Sequence, residues 1–268
     1  MARDVIDDRL VGALHVRALT RAGLRHEAPH AHTVVQTGTM AALLDGHYDG
    51  DLRVGDLLAR GDLGIGTIQH LDGELVILDG EAWVVHADGR VDRVAADTRT
   101  PFVVACRFVP VASRHASEPV AFDALCTALD ELAPVHEPVV AVRVDGDFRD
   151  LRLRSVHAQR RPYPPLRDVV AHQTEWSVAA ARGSVVGFRF PDASSGIEVP
   201  GYHLHFLSDD RLHAGHVLGL TLVEGDLRVD GEHELHVEVP AGIRLGEPGA
   251  LASEIHAVEG GPDVSTPG

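Results

Sequence analysis

Leu75-Val76-Ile77-Leu78-Asp79-Gly80-Glu81-Ala82-Trp83-Val84-Val85-His86-Ala87-Asp88-Gly89 is the stretch that decides the fold class. Two short apolar runs are each followed by Asp-Gly, a pair that tolerates the positive φ angles of tight hairpin turns. Such runs read as the strands of a meander. Residues 102–108 continue the sheet. Further out, extended segments are expected over 139–144, 151–156, 184–190, 202–207, 216–223, 227–229 and 234–239. Helical spacing is local. Residues 34–44 carry apolar side chains at near-helical intervals and stop at Asp45-Gly46. Residues 54–58 suggest a second helical turn, closed by Gly61-Asp62. Over 118–132, Phe122, Leu125, Leu129 and Leu132 are spaced for one helix face, with Ser117 as its N-cap and Pro119 in its first turn. Pro162-Tyr163-Pro164-Pro165 breaks the pattern, and a short helix is expected over 166–172. The expected architecture is α+β, strand-dominated, in two packed halves.

Composition bounds the partners. With 24 Lys and Arg against 40 Asp and Glu, the formal charge is −16, which argues against nucleic acid or an anionic membrane as partner. An anionic substrate then needs a local positive centre. Cys106 and Cys126 are the two cysteines; they lack metal-site spacing, and a reducing cytosol is the expected compartment. Met1-Ala2-Arg3-Asp4-Val5-Ile6-Asp7-Asp8 is too charged for the apolar part of a signal peptide. No run reaches the length of a membrane span. A soluble, cytoplasmic protein is the expectation, with residues 1–32 as a peripheral extension and a tail after Glu259 of loop composition.

Three clusters carry residues suited to chemistry. In Gly201-Tyr202-His203-Leu204-His205-Phe206 a His-x-His pair on a strand puts both imidazoles on one face, because strand side chains alternate. The polar turn Ser208-Asp209-Asp210 returns the chain and brings His216 opposite the pair. His213 competes as third donor but falls inside that turn. Three neutral imidazoles form the protein half of an open zinc site. With 18 His in the chain, about one His-x-His arises by chance, and His30-Ala31-His32 is a second instance. The spacing therefore leaves open whether these are ligands or half-buried strand histidines. The second cluster runs from Gly61 to Leu75. Its glycines lack the Gly-Lys-Ser/Thr of a phosphate loop and read as a turn between sheet elements, with Thr67 bonded to nearby backbone and Glu74 an exposed strand carboxylate. In Leu151-Arg152-Leu153-Arg154-Ser155-Val156, Arg152 and Arg154 point to one strand face, a position usually solvated.

Taken in order along the chain, these clusters and their neighbours resemble the α-acetolactate decarboxylase family. The similar blocks begin with Leu43-Leu44-Asp45-Gly46-His47-Tyr48-Asp49-Gly50-Asp51, Gly61-Asp62-Leu63-Gly64-Ile65-Gly66-Thr67, Leu71-Asp72-Gly73-Glu74-Leu75 and Thr100-Pro101-Phe102. Arg154-Ser155-Val156, Pro162-Tyr163-Pro164-Pro165-Leu166, Pro200-Gly201-Tyr202-His203-Leu204-His205-Phe206 and Gly215-His216-Val217-Leu218 follow. The resemblance implies one family unit over 33–260, divided into a mixed β-sheet domain at 33–165 packed against a β-barrel-like, metal-binding domain at 166–268. It implies Zn2+ as cofactor on His203, His205 and His216. Glu74 and Arg154 match active-site positions, Thr67 a pocket hydroxyl, and Glu259 (or Glu254) a C-terminal glutamate that reaches the site. A homodimer is implied as well. His157 and Ala214 depart from the family pattern, standing where it tends to have Pro and Gly.

The implied reaction is decarboxylation of (S)-2-acetolactate, a 2-hydroxy-3-oxo acid, to (R)-acetoin and CO2, with zinc as electron sink for an enediolate. Glu74 or Glu259 delivers the proton or ligates zinc; the residues alone assign neither role. The competing reading is a non-catalytic metal-binding β-barrel module, against which the retention of Arg154 and Glu74 beside the three histidines argues. A zinc hydrolase is disfavoured by the absence of a His-Glu-x-x-His motif.

Overall fold

The structure is a computed structural model and describes the backbone of residues 15–19, together with residues 31–134, 138–194 and 196–238. Strands dominate it. In chain order they are β1 (His15–Leu19), β2 (Thr33–Thr37), β3 (Leu52–Arg53), β4 (Leu63–Thr67), β5 (Glu74–Leu78), β6 (Glu81–Val85), β7 (Val91–Arg93), β8 (Arg99–Thr100) and β9 (Phe102–Cys106). There follow β10 (Ala112–Ala116), β11 (Val120–Ala121), β12 (Val139–Ser155), β13 (Thr174–Phe190), β14 (Gly201–Ser208), β15 (Ala214–Glu232) and β16 (Glu234–Glu238).

The first sheet has the order β1-β16-β2-β9-β4-β5-β6-β7. It is mixed, because β16 runs parallel to both β1 and β2 while the remaining neighbours are antiparallel. The opening meander forms here as expected. Asp79 (φ 53°) and Gly80 (φ 76°) make the β5–β6 turn, the two positive angles that a two-residue hairpin of matching twist requires. The second sheet runs β10-β15-β12-β13-β14, and β14 also pairs with β15, so β12, β13, β14 and β15 form a closed hydrogen-bonded circuit. The chain crosses from the first sheet to the second between Cys106 and Ala112, and returns through β16.

One buried cluster joins the sheets. It takes Val34, Ile65, Val76 and Val104 from the first and Val186, Phe188, Leu207 and Ala214 from the second. The opposite face of the first sheet packs on Leu52, Val54 and Leu57. The outer face of the second is covered by the Phe122–Leu132 helix, whose Leu125 and Leu129 are fully buried.

Several local expectations change. Residues 34–44 are not one helix. Val34 and Val35 belong to a central strand between β16 and β9, Gly38 turns the chain at φ 73°, and the Met40–Leu44 helix begins at Thr39, whose hydroxyl accepts the Ala42 N–H. A Cβ at Gly38 would meet the Pro101 carbonyl at 2.1 Å, so only glycine fits this turn. The helix expected over 118–132 starts at Phe122, with Ala121 rather than Ser117 at its N-cap position, because Val120 and Ala121 pair with Leu222 and Thr221. Gly64 and Gly66 lie in strand β4, not in a turn.

The separate strands read at 139–144 and 151–156 are one 17-residue strand, and those at 216–223 and 227–229 are parts of one 19-residue strand. Polar residues between the apolar runs are paired: Asp145 is bonded by Arg143 of its own strand at 2.7 Å and by Arg228 across the sheet at 2.6 Å, and Arg182 bonds Asp147 across the sheet at 3.1 Å. Cross-strand pairs of opposite charge let the ladder continue where hydropathy alone suggests a break.

Candidate metal centre and adjoining cavity

The histidines meet because of register. His205 lies directly opposite His216 across β14 and β15, and His216 lies opposite Arg154 across β15 and β12. His203, two residues before His205, shares its face. The three imidazoles are buried, at 5%, 0% and 4% exposure for His203, His205 and His216. One nitrogen from each lies within 4.8 Å of the others, and the ring centroids are 5.1–5.4 Å apart. This geometry selects His216 over His213. In the other His-x-His pair, His32 bonds Asp230 at 2.7 Å, and His30 lies outside the described residues.

The ring orientations are set from behind. His205 Nδ1–H donates to the Leu75 carbonyl at 2.8 Å. A carbonyl can only accept, so the lone pair resides on Nε2. That Nε2 is buried without a hydrogen-bond partner and is 3.5 Å from Glu74 Oε2. His203 Nδ1–H donates to Glu198 Oε1 at 3.0 Å. Burial, reinforced by nearby His203 and Arg154, holds the basicity of His205 well below that of an ordinary histidine, keeping it in the neutral form that binds metal. Three imidazole nitrogens, one of them the orphaned Nε2 of His205, suit a divalent ion of borderline softness. These residues fit a metal ion.

The first sheet supplies the facing groups. Thr67 and Glu74 are in register across β4 and β5. Glu74, expected to be exposed, is buried at 8% exposure because the second sheet covers the start of β5. Thr67 is buried, and its hydroxyl donates to the Gly73 carbonyl at 2.7 Å. Arg154 is buried at 3% exposure, while Arg152 is exposed beside Glu175. Arg154 Nη1 donates to Gln173 Oε1 at 3.0 Å, and Gln173 Nε2 donates on to Glu175 at 2.8 Å. A small cavity adjoins the centre, lined by Thr67, Glu74, Arg154 and His203 together with Met40, Leu43, Phe102, Val156 and Leu166. Gly66 also lines it; a Cβ there would meet the Phe102 carbonyl at 2.3 Å. Glu259 and Glu254 lie outside the described residues.

Of the six residues that sequence reasoning brings together, the fold places Thr67, Glu74, Arg154 and His203 on one cavity and His205 and His216 beside His203. It missed Glu198 and Gln173. The signal for Glu198 is a single acid between Ile197 and Val199, five positions before His203. Gln173 carries no comparable signal.

Comparison with known proteins agrees with this geometry. The family described as alpha-acetolactate decarboxylase matches residues 34–244. The alpha-acetolactate decarboxylase of Methylococcus capsulatus is 36% identical over 236 residues, spanning 88% of this chain and 90% of that protein. That of Raoultella terrigena is 37% identical over 237 residues, spanning 87% and 92%. The crystal structure of alpha-acetolactate decarboxylase from Bacillus subtilis strain 168 superimposes with a TM-score of 0.82 at 32% identity, covering 85% of this chain and 100% of that one. This chain, with its buried histidine trio between two sheets, belongs to the alpha-acetolactate decarboxylase family.

Proposed function

We propose that the chain is a zinc-dependent acetolactate decarboxylase, converting (S)-2-acetolactate to (R)-acetoin and CO2. The observation that carries this reading is a cluster of three buried imidazoles, one of which, His203, lines a cavity together with Glu74 and Arg154, in a chain of this family. His203, His205 and His216 would hold the ion. Zinc bound there supplies Lewis acidity, stabilising negative charge as it develops on substrate oxygen.

The chain's own residues do the rest. Arg154 presents a fixed fork of N–H donors to the substrate carboxylate or to a developing oxyanion. To accelerate the reaction it must hold the developing charge better than the ground-state carboxylate; the bond to Gln173 orients it for that. When the bond to the carboxylate carbon breaks, CO2 leaves neutral and the electron pair stays on C2, delocalised into the neighbouring carbonyl as an enediolate. A proton delivered to C2 on one face completes acetoin. Glu74 is the described carboxylate we assign to hold that proton, and Glu259 remains its partner candidate from the resemblance. The Thr67 hydroxyl proton is committed to Gly73, so towards substrate its oxygen acts as an acceptor, suited to the 2-hydroxyl. Met40, Leu43, Phe102 and Leu166 seat the methyl groups and exclude water.

The proposal extends to a homodimer in a reducing cytoplasm. No disulfide joins Cys106 and Cys126, and no helix among the described residues is long and apolar enough to cross a membrane. Light scattering is expected to report twice the chain mass of 28.7 kDa.

Incubation of the zinc-loaded protein with racemic acetolactate is expected to release CO2 and (R)-acetoin from the S half. Turnover no faster than the spontaneous reaction rejects the catalytic reading, and zinc binding without turnover favours the non-catalytic module. Elemental analysis of His205→Ala is expected to find the zinc gone; full retention would reject the ligand assignment.

A further inference from the structure

We propose that Glu198 is a positioning residue of the metal centre: its carboxylate fixes the tautomer and direction of His203 and adds a negative charge behind that ligand. The proposal rests on the metal reading above. Glu198 is 0% exposed, between Ile197 and Val199, which are themselves buried. Its backbone is held from both sides. The Glu198 N–H donates to the Ser194 carbonyl at 3.1 Å. The Ile197 carbonyl accepts from Met40 N–H at 3.0 Å and from Gln36 Nε2 at 2.7 Å. The carboxylate therefore reaches His203 Nδ1 from a fixed strut, at 3.0 Å.

The two ligands of the His-x-His pair are supported differently. A neutral carbonyl, that of Leu75, sets the tautomer of His205, so tautomer control alone does not require an acid behind His203. A carboxylate removed from water is costly and is kept where positive charge meets it. A divalent ion on Nε2 of His203 would face Glu198 through one imidazole ring. That arrangement strengthens the donor and orients it, and its loss typically weakens metal binding 10- to 100-fold.

The test uses full-length protein loaded with Zn2+ and titrated with a competing chelator, comparing wild type with Glu198→Gln and Glu198→Ala. Glutamine keeps an acceptor oxygen and removes the charge; alanine removes both. The expected zinc dissociation constants rise about 10-fold for Glu198→Gln and about 100-fold for Glu198→Ala. Thermal unfolding with the metal removed supplies a readout that separates positioning from packing. The metal-free Glu198→Gln protein is expected to melt at or above the wild-type temperature, since a buried charge has gone. Zinc affinity of Glu198→Gln within twofold of wild type overturns the proposal, whether or not the alanine variant folds. So does a metal-free Glu198→Gln protein that melts well below wild type while holding zinc as tightly. Failure of the metal reading itself would look different: the wild type would hold no zinc against the chelator, and both would fall.

Discussion

An imidazole on a strand is suited to bind metal when one nitrogen is committed to a fixed acceptor and the other has nothing but its neighbours to face. His205 meets both conditions, through Leu75 on one side and an unsatisfied Nε2 on the other. Arg154 illustrates the same logic for an anion. Its buried guanidinium is steered by Gln173, and a lysine there would bring one point charge without the planar fork. Arg154→Lys is expected to retain its zinc while kcat/KM for acetolactate falls on the order of 100-fold, a loss of about 2.7 kcal/mol of transition-state stabilisation. Steady-state assays beside elemental analysis check this, and activity within threefold of wild type would show that the fork is not used. At this scale the sequence was uneven. Alternation placed His203 and His205 on one face, and the turn after them brought His216 across. Alternation could not separate Arg154 from Arg152, because burial depends on which part of the long β12 strand the first sheet covers. Glu198 was legible only as an acid in an apolar context.

Among the elements, glycines mark where strands approach most closely. Gly187 lies opposite Leu204 in the β13–β14 ladder, and a Cβ there would fall 2.0 Å from the His203 carbonyl. Gly187→Ala must therefore push apart the two strands that aim His203. The expected cost is at least about 3 kcal/mol, with weaker zinc retention. Gly80 is the control. A Cβ at Gly80 meets nothing within 4 Å, so Gly80→Ala carries only the strain of its positive φ, about 1–2 kcal/mol, and leaves zinc binding intact. Denaturant midpoints with chelator titration distinguish the two; equal losses would show that the close approach at Gly187 is readily relieved. These glycines also explain what the sequence left obscure. The β5–β6 hairpin was readable because Asp79-Gly80 advertises its turn. The boundary within residues 34–44 was not, since Val34, Val35, Met40, Leu43 and Leu44 fit helical spacing, and nothing in that spacing shows that the chain turns at Gly38, where a Cβ would meet the Pro101 carbonyl. The long strands were read in pieces because their middles are polar, and the cross-strand partners of Asp145 and Asp147 come from distant sequence.

For the whole molecule, the centre sits where the two sheets meet. The three histidines belong to the second sheet, Thr67 and Glu74 to the first, and the His205–Leu75 hydrogen bond crosses between them. Ser155 adds a second crossing, its hydroxyl donating to the Val85 carbonyl at 2.8 Å. An ion held by the second sheet would fix a ring that is also bonded to β5 of the first, so its binding free energy would act on the contact between sheets. A ligand at 100 times its dissociation constant stabilises the native state by about 2.7 kcal/mol. For a protein of this size that corresponds to roughly 5–10 °C in melting temperature. Chelation is expected to lower the melting temperature by that amount and to accelerate amide exchange in β14 and β15 and in β5 together. Zinc readdition should restore both. Faster exchange confined to β14 and β15, with β5 unchanged, would mean that the ion stabilises its own sheet alone and that the His205–Leu75 bond transmits nothing. Coupled loss would make the metal a structural link between the sheets as well as the source of charge stabilisation in the cavity, and would account for a centre that joins β4 and β5 to strands as distant in the chain as β14 and β15.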